Sequence, residues 1–176
     1  MALEEGKRRK KRPLLPITLD VTNRAVLVVG AGKVGSRRAI RFLEAGAKVR
    51  IVSPTRLPSL DPFVLCGRLD WQSRNYTHGD ELGMDIVVAA TDDETTNAAI
   101  ARAAAKEGAW VNQASDAEHT PIVMPAVVTS GGVQIAITTS GTRPSYAKAL
   151  SDALVQDIAR GTQTFVNMLR DDTECD

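Results

Sequence analysis

The stretch Val26-Leu-Val-Val-Gly30-Ala-Gly32-Lys33-Val34-Gly35 decides how this chain is read. Four β-favouring apolar residues run straight into Gly30-x-Gly32-x-x-Gly35, and a helical pattern follows from Val34 to Ala45. Three spaced glycines alone are a weak signal, because glycine turns after strands are common. A strand before them and a helix after them supply the context of a dinucleotide-binding turn. In that reading Gly30 allows the tight turn, Gly32 lets the backbone approach a pyrophosphate, and Gly35 lets the helix lie close on the sheet. The phosphates then sit at the positive N-terminus of the helix.

Working outward, the helix stops on Gly46, and Lys48-Val-Arg-Ile-Val-Ser53 alternates as a strand does. Together they make a β-α-β unit of the expected ~30 residues. Many NAD proteins place an acid about 20 residues past the first glycine to hold the ribose hydroxyls. Here that position reads Ser53-Pro54-Thr55-Arg56, with no acid before Asp61. Ser53 and Thr55 can bond a ribose. Arg56 can meet a 2′-phosphate or be a plain surface arginine, so NAD and NADP both stay open.

Residues 57–80 carry two prolines, a glycine and scattered apolar residues, and show no periodicity; His78 within them reads as a loop histidine. Asp85-Ile-Val-Val-Ala-Ala90 is a buried strand, followed by Thr91-Asp-Asp-Glu-Thr-Thr-Asn97, which caps a helix running to about Lys106, with Gly108 as its stop. Thr91 or Asp92 is either that N-cap or part of a ligand edge, since nucleotides bind at the strand C-termini of open parallel sheets. Ala109-Trp-Val-Asn112 is a further short strand ending at the same edge. After residue 120 the pattern changes. Ile122–Thr129 and Val133–Thr139 are strand-like runs separated by Ser130-Gly-Gly132, a strong hairpin signal. Pro144 then opens an amphipathic helix from about Ser145 into the 160s. A hairpin plus one helix is too small to fold alone, so it packs on the nucleotide domain or on a second copy, and a homodimer is expected.

The fold class read from these elements is α/β, a Rossmann-like parallel sheet with a C-terminal β-hairpin and helix. The organisation is a disordered basic leader at 1–12, a nucleotide domain at 13–118, and a dimerisation and substrate-cleft region at 119–176. Hydrophobic content of 43% with 24% charged residues is ordinary for a soluble globular protein. Cys66 and Cys175 lie far apart without metal-ligand spacing, which argues against a disulfide framework or metal site and suits a reducing cytoplasm. No apolar run approaches the roughly 18–20 residues that span a bilayer, and the basic N-terminus has no apolar stretch behind it, so no secretory signal is read. Lys7-Arg-Arg-Lys-Lys-Arg12 holds six of the 22 basic residues and leaves the rest net acidic. Without a second basic patch this run reads as a solvated leader, and neither a nucleic-acid nor a membrane partner is expected.

Several spaced signatures together carry a resemblance. They are the Val-Val-Gly-Ala-Gly-Lys-Val-Gly turn, Glu44-Ala-Gly-Ala47, Ala89-Ala-Thr-Asp-Asp93 with Asn97, and Val111-Asn112. Met124-Pro125-Ala126 and Ile137-Thr-Thr-Ser-Gly-Thr-Arg-Pro144 follow in order. Over roughly residues 13–160 the chain resembles the precorrin-2 dehydrogenase family, the N-terminal module of siroheme synthase. The resemblance implies NAD-dependent oxidation of precorrin-2 to sirohydrochlorin on the way to siroheme, on a Rossmann domain followed by a small dimerisation region. Some members also insert ferrous iron. Carried over by position, the nucleotide touches Lys33 and Val34 in the turn, Pro54 and Thr55 after the second strand, and the Thr91-Asp92-Asp93 edge, with Asn112 beside it.

The chain departs from the family at one position. Members performing both reactions carry an aspartate three residues past the asparagine matching Asn112, and that aspartate is assigned to catalysis; here it is Ser115, followed by Asp116. A serine hydroxyl is no carboxylate base near neutral pH, though it donates and accepts hydrogen bonds. Asp116 substitutes after a small loop shift, or hydride transfer needs no carboxylate once the reactants are positioned, or chelation has been lost. His119 is the other titratable candidate of this loop, able to take a proton or to be a surface histidine. Arg37, Arg38 and Arg143 are candidates for the substrate's carboxylates. The reading is a cytoplasmic dehydrogenase with weak or no ferrochelatase activity. Its alternatives are a bifunctional dehydrogenase and chelatase, or a nucleotide-sensing module without chemistry.

Overall fold

The computed structural model describes residues 14–116, 120–140, 142–162 and 164–165. These fall into two compact units, one spanning residues 15–122 and a smaller one made of Leu14 and the described residues from Val123 onward.

The larger unit is built on a five-stranded sheet of β1 (Ala25–Val29), β2 (Lys48–Val52), β3 (Leu69–Gln72), β4 (Ile86–Ala89) and β5 (Trp110–Gln113). The order is β3-β2-β1-β4-β5 and every pairing is parallel. Parallel sheets are covered on both faces, which is why β1 and β4 read as unbroken apolar runs. Val26, Leu27, Val28, Val87 and Val88 are fully buried, each contributing roughly 1.5–3 kcal/mol. On one face Leu27, Val29, Val87, Ala89 and Val111 pack with Ile100 and Ala104 of α3 (Glu94–Lys106). The other face meets α1 (Lys33–Glu44), which buries Gly35, Ser36, Ala39, Phe42 and Leu43. Because all five strands run the same way, their C-terminal ends share one edge, where an open α/β sheet binds its ligands.

The unread stretch 57–80 holds a 3-10 turn at Pro58–Leu60, a short helix α2 (Asp61–Leu65) and the edge strand β3. Beyond β3, Tyr76, Gly79 and His78 converge on Glu81, whose side chain is fully buried. Its Oε2 accepts from the Tyr76 hydroxyl at 2.6 Å and from Gly79 N–H at 2.9 Å, and His78 Nδ1 lies 2.7 Å from Oε1.

In the smaller unit β6 (Ala126–Ser130) and β7 (Val133–Ile137) form an antiparallel hairpin in which Ser130 faces Val133. Its two-residue loop, Gly131 and Gly132, takes φ of 55° and 80°, as a turn matching strand twist requires. Helix α4 (Pro144–Arg160) packs against both strands, opens on Pro144 and closes on left-handed Gly161. Near its end Asp157 accepts from Thr164 N–H at 2.9 Å, Phe165 N–H at 2.5 Å and the Thr162 hydroxyl. Among the described residues no helix is long and apolar enough to cross a membrane, and no cluster of side chains could hold a metal ion.

Candidate active site

The glycine turn is held where β1, β2 and β4 end. Gly30 N–H donates to Val52 O at 3.0 Å, Ala90 N–H to Val29 O at 2.9 Å, and the Ser36 hydroxyl to Ala31 O at 2.8 Å. The three glycines differ in what they leave free. Gly30 has φ of +94°, and a Cβ there would stand 2.4 Å from Ala90 O. At Gly35 it would stand 1.9 Å from Gly30 O, so both positions are closed by backbone. A Cβ on Gly32 would meet nothing within 4 Å, and Gly32 is the N-cap of α1 with no side chain capping the helix. An open space at an uncapped helix N-terminus is a cradle for a pyrophosphate, so these residues fit a dinucleotide. Lys33 and Val34 are exposed beside it.

The neighbouring candidates divide. Thr55 and Pro54 are exposed past the end of β2. Ser53 is buried, and its Oγ accepts Ala31 N–H at 3.2 Å; its hydroxyl oxygen braces the glycine turn instead of facing out to a ribose. Arg56 is committed elsewhere: it pairs with Asp61, Nη2 to Oδ1 at 2.8 Å, and its guanidinium lies 4.0 Å above the Trp71 ring. Of the two readings of Arg56, this pairing is the one expected of a structural surface arginine.

At the end of β4 the N-cap is Asp93, not Thr91 or Asp92. Its carboxylate accepts Thr95 N–H at 3.1 Å, Thr96 N–H at 3.0 Å and the Thr96 hydroxyl. The Thr96 hydroxyl, then the two N–H groups, hold its carboxyl below the usual carboxylate range. Asp93 is thereby spent on the helix end, while Asp92 next to it is exposed.

Asn97, fully buried on α3, is the site residue that sequence reasoning did not single out for a role. Its Oδ1 accepts Thr91 N–H at 2.9 Å and the Thr91 hydroxyl at 2.8 Å, and its Nδ2 donates to Thr91 O at 2.9 Å and to Ser115 Oγ at 3.5 Å. One side chain thus ties the edge after β4 to the loop after β5. Its signal was an amide on the buried face of an otherwise alanine-rich helix.

Asn112 is 2% exposed, and its Nδ2 donates to Ile122 O at 2.7 Å, so it anchors the returning end of the 113–122 loop. Its Oδ1 is buried without a hydrogen-bond partner among the described residues. Thr120 closes the same loop, accepting Gln113 N–H at 2.9 Å and donating to Val111 O at 2.8 Å. Ser115 and Asp116 are neighbours with different surroundings: Ser115 reaches Asn97, whereas Asp116 lines a cleft of about 320 Å³ with Arg102, Gln113 and Thr120. His119 lies outside the described residues.

Of the arginines suggested for substrate carboxylates, Arg38 is set apart. It sits on the flank of α1 with Nη1 buried and, among the described residues, unpartnered, and burial, then the charges of Arg37 and Arg41, push its guanidinium down to about 10. Arg143 stacks 4.5 Å from the Tyr146 ring.

A parallel 3-2-1-4-5 sheet with an open glycine cradle at the head of α1 defines a dinucleotide-binding Rossmann protein. Residues 17–126 match the family described as "Putative NAD(P)-binding". Siroheme synthase 1 of Aeromonas salmonicida is 33% identical over 140 residues, covering 80% of this chain and 30% of that protein. The siroheme synthase of Pseudomonas paraeruginosa is 34% identical over 136 residues, 77% of this chain and 29% of that one. The solved structure of SirC, precorrin-2 dehydrogenase, superposes with a TM-score of 0.71 at 30% identity, covering 82% of this chain and 71% of that chain. The chain belongs to the precorrin-2 dehydrogenase family of siroheme biosynthesis. It spans about three-tenths of the length of the curated siroheme synthases it matches.

Proposed function

We propose that this protein oxidises precorrin-2 to sirohydrochlorin with NAD and has weak or no ferrochelatase activity. The observation that carries the reading is the open cradle at Gly32, set beside the Thr91–Asn97–Ser115 network in a chain of this family. NAD, when bound, takes two electrons and one hydrogen of the tetrapyrrole as hydride, and one further proton leaves to solvent. The chain's own part is positioning. The turn from Gly30 to Gly35, with Lys33 and Val34, holds the pyrophosphate; Thr55 and Pro54 flank the adenosine ribose; Thr91 and Asp92 face the nicotinamide half. Arg38, half-buried with its Nη1 unpartnered among the described residues, supplies a charge for one of the substrate's carboxylates.

Ser115 sets the limit on chemistry. Chelation must remove two pyrrole N–H protons, and a hydroxyl held near an amide does not take them at neutral pH. Hydride transfer asks chiefly for proximity and orientation. In this reading Asp116, which lines the cleft with Arg102, does not stand in for that carboxylate. We further infer a cytoplasmic homodimer with residues 119–176 as the dimerisation and cleft region and residues 13–118 as the nucleotide domain.

The test is an anaerobic assay of the purified chain with precorrin-2 and NAD, following NADH and the tetrapyrrole spectrum together without metal, then adding ferrous iron. NADH formed in step with sirohydrochlorin, with little or no iron insertion, is the expected result. Nucleotide binding by calorimetry without turnover would replace the enzyme with a nucleotide sensor.

A further inference from the structure

The cleft of about 320 Å³ that Asp116 lines belongs wholly to the larger unit. Its floor is Val111, which packs under α3, and Gln113, two residues on and so on the same face of β5. One wall is the flank of α3 that carries Ala98, Ala101 and Ala105. The other is the returning chain at Thr120 and Pro121, tied to β5 through the Thr120 hydroxyl and by Ile122 N–H to Val111 O at 3.1 Å. The bond from Asn97 to Ser115 fixes where this cleft lies. Ala98 follows Asn97 and Asp116 follows Ser115, so one end stands one residue away from both partners, beside the position the family assigns to catalysis.

From that end the cleft follows α3, and Arg102 stands one turn beyond Ala98, roughly 6 Å along the helix. Arg102 is the one cation among the described residues that line the cleft. It is exposed and has no hydrogen-bond or ion-pair partner among the described residues. Neighbours three or four residues away on a helix could neutralise it, but here they are Ala98, Ala99, Ala105 and Lys106. The result is a trough with methyl-lined walls, a free guanidinium along it and an acid at the end next to Ser115. That is the complement of an aliphatic arm ending in a carboxylate. The stem lies against the alanine methyls and the head meets the guanidinium, whose planar fork suits a carboxylate. Asp116 repels a carboxylate from the near end and so directs the head toward Arg102.

We propose that this cleft receives one carboxylate arm of the tetrapyrrole, with Arg102 as the residue that binds its head and so helps to orient the ring. The inference rests on the tetrapyrrole reading above and adds to it a substrate-binding residue outside the glycine turn. The test is anaerobic titration of the full chain with sirohydrochlorin, which keeps every carboxylate arm of precorrin-2, followed by tetrapyrrole absorbance, with NAD affinity measured by calorimetry. Arg102→Ala, a helix-favouring change at an exposed position, is expected to weaken sirohydrochlorin about tenfold while NAD affinity changes less than about twofold. Arg102→Lys, which keeps the charge without the fork, is expected to fall between the two. Lys106→Ala, one turn further along α3 and not lining the cleft, is expected to bind as the natural chain does. In turnover, Arg102→Ala is expected to raise KM for precorrin-2 with kcat unchanged, the mark of lost uniform binding. Unchanged sirohydrochlorin affinity in Arg102→Ala, or an equal loss in Lys106→Ala, would overturn the subsite. Free propionate bound in an Arg102-dependent way, with tetrapyrrole affinity insensitive to Arg102, would assign the cleft to a small carboxylate instead. A natural chain that binds NAD but not sirohydrochlorin would overturn the tetrapyrrole reading, and the subsite with it.

Discussion

Gly32 separates two demands that Gly30 and Gly35 combine. At those two a methyl group collides with backbone, so Gly30→Ala or Gly35→Ala tests folding and binding at once. At Gly32 the φ is −70° and the space is open, so alanine fits the fold. Its methyl group would stand where the pyrophosphate must approach. Gly32→Ala is therefore expected to leave the thermal midpoint unchanged and to weaken NAD about tenfold or more, a cost on the order of 1.4 kcal/mol. Equal NAD affinity in calorimetry would remove the phosphates from that cradle. Asn97 makes the complementary case. Asn97→Ala leaves Thr91 N–H and the Ser115 hydroxyl without their partner, costing about 1–3 kcal/mol of stability. Asn97→Asp keeps the acceptor for Thr91 and loses the donor to Ser115, so a fall in turnover with unchanged NAD affinity would mark Asn97 as the residue that positions the 113–122 loop.

The elements legible in the sequence were those with a local reason to exist. β1 and α1 are announced by an apolar run, a glycine turn and a helical period, and β6 and β7 by two glycines between alternating residues. β3 was hidden because it is four residues long at the sheet edge, and its Asp70 faces solvent as half of a cross-strand pair with Arg50 at 2.7 Å. The loop after it was equally silent: Glu81 looks like any surface acid until Tyr76 and Gly79 are folded over it. Burial alone would raise the Glu81 carboxyl. The Tyr76 hydroxyl, the loop N–H groups and the charge of His78 outweigh that and hold it below its ordinary value. A carboxyl depressed in the folded state stabilises above its unfolded pKa, near 4.3, and this stability is lost as pH falls through the lower folded value. Glu81→Gln is expected to cost about 1–3 kcal/mol at pH 7 in urea denaturation. The gap between variant and natural chain should narrow below about pH 4; a gap constant down to pH 3 would mean that the charge contributes nothing.

For the whole molecule, the sequence carried the order of elements but not how the second unit covers its apolar surface, since that depends on contacts between segments distant in the chain or on separate chains. Every residue of β7 from Val133 to Ala136 is exposed, with Val133 at 60%, and on α4 Val155 and Ile158 are 52% and 48% exposed at adjacent turns of one face. A hairpin and a single helix bury too little to leave such residues in water without cost. A second copy would cover them symmetrically, and a stable dimer needs roughly 1,000 Å² or more of such surface. The natural chain is expected to sediment as a dimer at micromolar concentration, and the double variant Val155→Lys, Ile158→Lys as a monomer that retains its fold, because both positions are already open to solvent. If that monomer binds NAD as the dimer does yet fails to oxidise precorrin-2, the nucleotide site is complete within one chain and the substrate cleft needs two. If the natural chain is a monomer and turns over, the exposed faces of β7 and α4 answer to another partner and residues 119–176 are not a dimerisation region.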